Sequence, residues 1–290
     1  MVKLVAVDLD GTLLDKKGNI STYTTSVIKT IQEKGIEFVV CTGRDYSMSR
    51  QPLIDAGISC DFICASGAST YKADGSIHEE IYFTHELANS IKESFEKRDI
   101  YMELFTSEGR MTNFTPEKAS EYLFDEWMET QIHGKILHDK EECLYFANVL
   151  METTKQEVKL EEVFSKGTRI YKICTAKMDI PLITELREEL SKINGISVEF
   201  SYAFNAEITV SGAQKGAAVA RYAKAKGIEM NEVMVIGDSE NDRSMLTVDF
   251  GYTVAMGNAS ESIKELAKFI TTSNDEDGVA CAIENYVLKP

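Results

Sequence analysis

Nowhere does the chain offer the roughly 18 consecutive apolar residues that a membrane-crossing helix requires. Its apolar start, Leu4-Val5-Ala6-Val7, meets Asp8 before reaching the length of a signal-peptide core. A soluble, cytoplasmic protein is the expectation. The chain also lacks a basic stripe. With 31 Lys and Arg against 47 Asp and Glu, its formal net charge is −16, and no cationic surface is expected to displace counterions from nucleic-acid phosphates. Cysteine is present but unpatterned. Cys41, Cys60, Cys64, Cys143, Cys174 and Cys281 contain no CxxC pair, and four scattered histidines add no zinc-like spacing. None of the six has Arg six positions later, which removes cysteine-based phosphate chemistry. They read as reduced thiols in or near cores. No internal repeat stands out. What remains is ordinary globular composition, 43% hydrophobic and 27% charged, in a length that suits one large domain or two.

The two ends of the chain alternate between strand and helix periods. Lys3 to Asp8 is a nearly continuous apolar run, the pattern of a strand buried on both faces. Ser21 can cap a helix whose Val27, Ile28 and Ile31 share a face and which Gly35 stops. A strand is predicted over 36–41, a helix over 47–56 and a third strand over 61–65. Ala73-Asp74-Gly75 then reads as the turn of a hairpin within 69–81. The pattern returns with a helix over 214–226, strands over 232–236 and 252–256, a helix over 260–268 and a closing helix over 278–288. Repeated strand–helix–strand order implies right-handed crossovers and a parallel sheet, hence an α/β protein.

The middle differs. An amphipathic helix carrying Leu87, Ile91 and Phe95 precedes extended pieces at 101–106 and 110–114, a helix around Trp127 and a charged helical stretch over 143–163. A strand at 169–176, a helix marked by Leu182, Leu186, Leu190 and Ile193, and strands at 197–202 and 207–211 close the segment. This α+β texture reads as a second domain, 84–211, inserted into a core formed by 1–83 and 212–290. Its polar Glu103, Arg110, Asn113 and Arg169 read as solvated surface, and Tyr122 and Trp127 as packing.

In open parallel sheets, ligands bind beyond the carboxyl ends of the strands. Asp8-Leu9-Asp10-Gly11-Thr12 follows the first strand, Thr42-Gly43-Arg44 the second, and Gly237-Asp238-Ser239-Glu240-Asn241-Asp242 the strand ending at Ile236. Lys215 opens the helix before that strand. Asp8 and Asp238 on one rim would repel without a cation between them, and hard carboxylate oxygens select Mg²⁺. Asp8 is then an oxygen nucleophile toward phosphorus. Asp10, held protonated by neighbouring negative charge, can serve as acid and then base. Thr42, Lys215 and the N–H groups around Leu9 and Gly43 can take up charge on phosphate oxygens. Each piece has a plainer reading. Asp-x-Asp-Gly is often a turn, Thr42-Gly43 can be a helix entry, Lys215 a solvated lysine, and Gly237-Asp238 with Asn241-Asp242 a cap. A calcium loop from Asp8 fails because Leu13 stands where Gly is needed and Asn19 where Glu is needed, and the approach to Lys215 is no Walker A loop. The joint placement after consecutive buried strands favours the chemical reading.

These four segments resemble the motifs of the haloacid-dehalogenase-like (HAD) phosphohydrolases, and the insert over 84–211 resembles the type-2 cap of their Cof-type subfamily. Val254-Ala255-Met256-Gly257-Asn258-Ala259 and Asn274-Asp275-Glu276-Asp277-Gly278-Val279 are similar to that subfamily too. The resemblance implies a Rossmann-like core with an α+β cap for specificity, and a Mg²⁺-dependent phosphatase of small phosphorylated metabolites, sugar phosphates foremost. It implies Asp8 as nucleophile, Asp10 as acid/base, and Thr42 and Lys215 as phosphate ligands. Asp238 and the Asp10 carbonyl would join Asp8 on the metal. Asn241 would touch the phosphate, Asp242 would support Lys215 or the metal waters, and Arg44 would support the site. Ser66 departs from a frequent Asn, and Arg243 from a usual apolar residue. A phosphomannomutase-like enzyme and a non-catalytic metabolite sensor are the rival readings. Oligomeric state is not legible.

Overall fold

Leu4 and Ala6 pack into one hydrophobic cluster while Val5 and Val7 pack into another, because successive side chains of a strand leave on opposite faces. This strand, β1 (Leu4–Val7), is therefore apolar throughout. The computed structural model describes residues 1–115, 117–122, 125, 154–155 and 157–289. The chain divides into two units, Met1–Ile81 with Gly212–Pro290, and Tyr82–Ser211.

In the first unit, β1 pairs in parallel with β2 (Glu37–Cys41) on one side and with β12 (Val233–Gly237) on the other. Next to β2 come β3 (Asp61–Cys64), parallel, and the antiparallel hairpin β4 (Ser69–Tyr71) and β5 (Ile77–Glu80). Beyond β12 lie β13 (Tyr252–Ala255) and β14 (Phe269–Ile270). Helix α1 (Thr22–Glu33) begins where the Ser21 hydroxyl accepts the Thr24 N–H, and α2 (Tyr46–Asp55) where Asp45 accepts that of Met48. One face of the sheet is covered by Val27, Ile28 and Ile31 of α1 together with Val279 and Ile283 of the C-terminal helix. The other is covered by Ala218, Val219 and Tyr222.

In the second unit, α3 (His85–Glu96) leads into β6 (Glu103–Thr106), β7 (Gly109–Thr112), β8 (Thr154–Lys155), α4 (Leu160–Ser165), β9 (Ile170–Ala176), α5 (Ile180–Leu190), β10 (Ile196–Glu199) and β11 (Asn205–Val210). The sheet runs β10-β11-β9-β6-β7-β8, antiparallel except for the parallel β7–β8 pair. Ile91 and Phe95 of α3 and Leu186 of α5 meet Leu104, Ile173 and Ile208 in its core.

The structure corrects three expectations. Thr154–Lys155 is a strand paired with Arg110 and Met111, not part of a helix over 143–163. The helix expected over 260–268 is only α8 (Glu261–Lys264), because the chain turns to place β14 on the sheet edge. Glu103 and Arg110 are not solvated. They form an ion pair at 3.2 Å with side chains 16% and 11% exposed. The helix expected around Trp127 lies outside the described residues. Among the described residues no helix is long and apolar enough to cross a membrane.

Candidate active site

Both central parallel strands end in acid-bearing turns. The Asp8 N–H continues the ladder to the Ile236 carbonyl at 3.0 Å, which sets Asp8 at the carboxyl end of β1 with only 4% of its surface exposed. Asp10 (φ −81°, ψ 122°) and Gly11 (φ 75°, ψ −1°) then take the two central conformations of a type II turn, the second of which favours glycine. A Cβ on Gly11 would also lie 2.5 Å from Asp238 Oδ2, so the turn and the rim after β12 approach as closely as a bare backbone allows.

Lys215, the first residue of α6 (Lys215–Ala225), is fully buried. Its Nζ donates to Asp8 Oδ1 and Asp242 Oδ1, both at 2.7 Å, and to Asn241 Oδ1 at 3.3 Å. Burial opposes the ammonium charge, but Asp242 and Asp8 outweigh it and raise the Lys215 pKa well above the ordinary value. Asp242 spends its second oxygen on the N–H groups of Asp238 and Ser239, at 2.9 and 3.1 Å. That carboxylate is wholly used in holding the lysine and its own loop. Asn241 is oriented by the Ser239 hydroxyl, 2.7 Å from its Oδ1.

Asp8 and Asp238 differ from Asp242 in keeping an open valence. Lys215 uses Asp8 Oδ1, and the Thr12 hydroxyl uses Asp238 Oδ1 at 2.8 Å. The other oxygen of each has no hydrogen bond to a described residue. Burial, then Asp242 and Asp238, push the Asp8 carboxyl well above the usual range despite Lys215. Burial first and Asp242 second push Asp238 up to about 7. Ligand oxygens of Asp8, Asp238 and Asp242 lie within 4.8 Å of one another. Three carboxylates against one ammonium, with two oxygens unspent, fit a hard divalent cation that takes few protein ligands and keeps its waters.

On the other side of the turn, Thr42 is buried, and its hydroxyl accepts the Arg44 N–H at 3.1 Å. Arg44 Nε and Nη2 grip the two oxygens of Asp10 at 2.8 and 2.5 Å, while Nη1 holds the Met48 carbonyl at 3.2 Å. This corrects the expected surroundings of Asp10. Its immediate partner is a cation, because the Gly11 turn aims the side chain toward α2 rather than into the acidic cluster. Leu9 is buried in the core beneath the turn, and Gly43 sits between Thr42 and Arg44. The structure thus joins Asp8, Lys215, Asn241, Asp242 and Asp238 in one connected group, and Asp10, Arg44 and Thr42 in a second.

Three participants had no role in the sequence reading. Thr12 anchors Asp238, Ser239 orients Asn241, and the Cys41 thiol lies beside Lys215, Asp8 and Asp242. Burial pushes that thiol far up, so it stays neutral. Thr12 was legible in principle, being the hydroxyl residue directly after the turn glycine.

A family model described as haloacid dehalogenase-like hydrolase matches residues 5–283. The chain is similar to 5-amino-6-(5-phospho-D-ribitylamino)uracil phosphatase YwtE of Bacillus subtilis (strain 168), at 29% identity over 99% of this chain and 98% of that protein. It is similar to phosphatase YwpJ of the same organism, at 31% identity over 96% and 98%. Among solved structures, a haloacid dehalogenase-like hydrolase from B. subtilis aligns with a TM-score of 0.82 at 28% identity, covering 99% of this chain and 100% of that one. The chain belongs to the haloacid dehalogenase-like hydrolase family.

Proposed function

We propose that this haloacid dehalogenase-like hydrolase is a Mg²⁺-dependent phosphatase of small phosphomonoesters, sugar and polyol phosphates foremost, working through an aspartyl-phosphate on Asp8. Family membership and relatives named as phosphatases support a phosphoric monoester hydrolase. YwtE, named for a phosphorylated ribityl compound, supports the polyol class. The observation that carries the reading is the buried Asp8 carboxylate, fixed by Lys215 through one oxygen and open at the other beside Asp238.

In the first half-reaction an Asp8 oxygen bonds to phosphorus as the phosphorus–oxygen bond to the leaving group breaks, and the departing oxygen takes a proton from Asp10. In the second, water attacks phosphorus, Asp10 takes its proton, and the Asp8–phosphorus bond breaks to release phosphate. Asp10 donates in the first step only when protonated and released by Arg44, and the carboxylate this leaves is the form that Arg44 holds for the second step. Lys215, Asn241, the Thr42 hydroxyl and the N–H groups of Leu9 and Gly43 serve the phosphate oxygens, which gather charge in the transition state. Bound by Asp8, Asp238 and the Asp10 carbonyl, Mg²⁺ would neutralise part of that charge. Arg44 steadies Asp10, and Asp242 steadies Lys215.

The test is phosphate release from p-nitrophenyl phosphate by purified protein. Release with Mg²⁺ and no bisphosphate activator, lost on chelation and reduced by about 10³-fold or more in Asp8→Asn, is the expected result. Equal turnover by wild type and Asp8→Asn would end the reading. A strict need for a sugar bisphosphate would favour a mutase.

A further inference from the structure

The segment after β13 and the segment before the C-terminal helix play no part in the chemistry above, yet they meet the catalytic turn. The Asn258 side chain lies at the surface with both ends of its amide engaged. Its Nδ2 donates to the Gly11 carbonyl at 2.8 Å, and its Oδ1 accepts the Asn274 N–H at 3.0 Å. Asn274 in turn donates its side-chain amide to the Leu14 carbonyl at 2.8 Å. The loop behind it is tied to itself, with Gly278 N–H on the Ser273 carbonyl and the Ser273 hydroxyl on Glu276. One amide orientation satisfies both Asn258 contacts, because an N–H must face its oxygen and a carbonyl its nitrogen.

The two acids of the turn depend on this contact to different degrees. Asp8 is anchored through main chain and side chain alike, by the ladder bond to Ile236 and the ion pair to Lys215, whereas the anchor of Asp10 is on its side chain, the two bonds from Arg44. Asp10 occupies the first central position of the type II turn, and the peptide after Gly11 is the far wall of that turn. On one side of that peptide the Thr12 hydroxyl ties the chain to Asp238, and on the other Asn258 holds the Gly11 carbonyl. Remove Asn258, and the Gly11 carbonyl loses that tie, leaving the turn to the Thr12 hydroxyl and to the Leu13 and Leu14 N–H groups, which bond the Asp8 and Leu9 carbonyls.

We propose that Asn258 is a positioning residue for Asp10, fixing through the Gly11 carbonyl the main-chain turn that carries the acid, while Arg44 holds its side chain until it is called on as proton donor. The inference rests on the reading of Asp10 as general acid. When the phosphorus–oxygen bond breaks, its electron pair goes to the leaving oxygen, and the proton from Asp10 neutralises it. A nitrophenolate needs that proton little. A phenolate, whose conjugate acid ionises near pH 10 like tyrosine, needs it far more.

The experiment compares kcat/KM for p-nitrophenyl phosphate and phenyl phosphate, two esters of nearly the same shape, in full-length wild type, Asn258→Ala and Asn258→Asp. This ratio covers the steps through leaving-group departure. The aspartate variant keeps the acceptor for Asn274 but presents an oxygen to the Gly11 carbonyl. The expected result is a loss about 10-fold larger for phenyl phosphate than for p-nitrophenyl phosphate in both variants, less than the roughly 10²–10⁴-fold of a whole general-acid effect because Asp10 is misplaced rather than removed. Thermal midpoints stay at the wild-type value. Equal losses on the two esters, or no loss, would overturn the proposal while leaving the phosphatase reading intact. A wild type inert toward both esters would overturn that parent reading and this one with it.

Discussion

Lys215 holds a full charge at a position with no solvent exposure, and its neighbours explain how. Asp8 and Asp242 each accept from it at 2.7 Å, and a buried charge persists only with such partners. The acids nevertheless outnumber the cation, and Asp238 carries the excess. Its folded pKa of about 7 lies above the ordinary 3.8, so the folded state binds this proton more tightly than the unfolded chain does. The stability from the protonated form is fully present below about pH 4. It is lost as pH rises through about 7. At pH 8 in chelator, Asp238→Asn should therefore be more stable than wild type by about 1–2 kcal/mol once solvent screening of this half-buried group is allowed for, and so unfold at a higher temperature. Added Mg²⁺ should raise the wild-type midpoint and leave the variant almost unmoved. Thermal melts at pH 8 and pH 4.5 check both statements, and a variant less stable than wild type at pH 8 would count against the cluster as drawn.

At the scale of elements, the site depends on how closely α6 approaches its neighbour. A Cβ on Gly216 would sit 2.1 Å from the Ser244 carbonyl of α7 (Arg243–Thr247), a backbone atom that cannot move aside alone. Gly216→Ala should cost about 1–3 kcal/mol, as overpacking does, and should also depress kcat because Lys215 is the adjacent residue. Urea unfolding and steady-state kinetics would read the two effects. Ser66, where the resembling family often has Asn, has φ 58° and ψ 29°, a left-handed conformation that Asn adopts more readily than Ser.

The elements that were legible are those whose own residues carry the signal. β1, β2 and β12 are apolar runs because both faces are covered, and α1 shows a cap and a period. Two-residue strands carry no such signal. β8 and β14 exist because Arg110 and Met111, and Val254 and Ala255, present free edges to them. Nothing within Thr154-Lys155 or Phe269-Ile270 could announce that.

Across the whole molecule, the candidate site is drawn from turns after β1, β2 and β12 and from the head of α6, segments far apart in sequence that the parallel sheet brings to one edge. That convergence was readable because topology dictates it. The partners of individual side chains were not. The charge facing Asp10 depends on which way the Gly11 turn aims a carboxylate, and the reach of Asn258 to Gly11 depends on a loop of irregular backbone. Both are matters of dihedral angle rather than residue pattern. The inserted unit, Tyr82–Ser211, builds its own core from Phe83 to Ile208. Its interior also holds the Lys172–Glu207 ion pair at 2.9 Å, with side chains 5% and 7% exposed. Polarity alone would have sent both residues to the surface.

The proposed mechanism requires a covalent bond between Asp8 and phosphorus. Protein mixed with p-nitrophenyl phosphate and Mg²⁺, quenched in acid within milliseconds and digested, should yield one added phosphoryl group on the peptide containing Asp8. That group should be released by hydroxylamine, as an acyl phosphate is, and be absent from Asp8→Asn. Phosphate release with no labelled peptide at any quench time, or a label on a serine or histidine elsewhere, would contradict it.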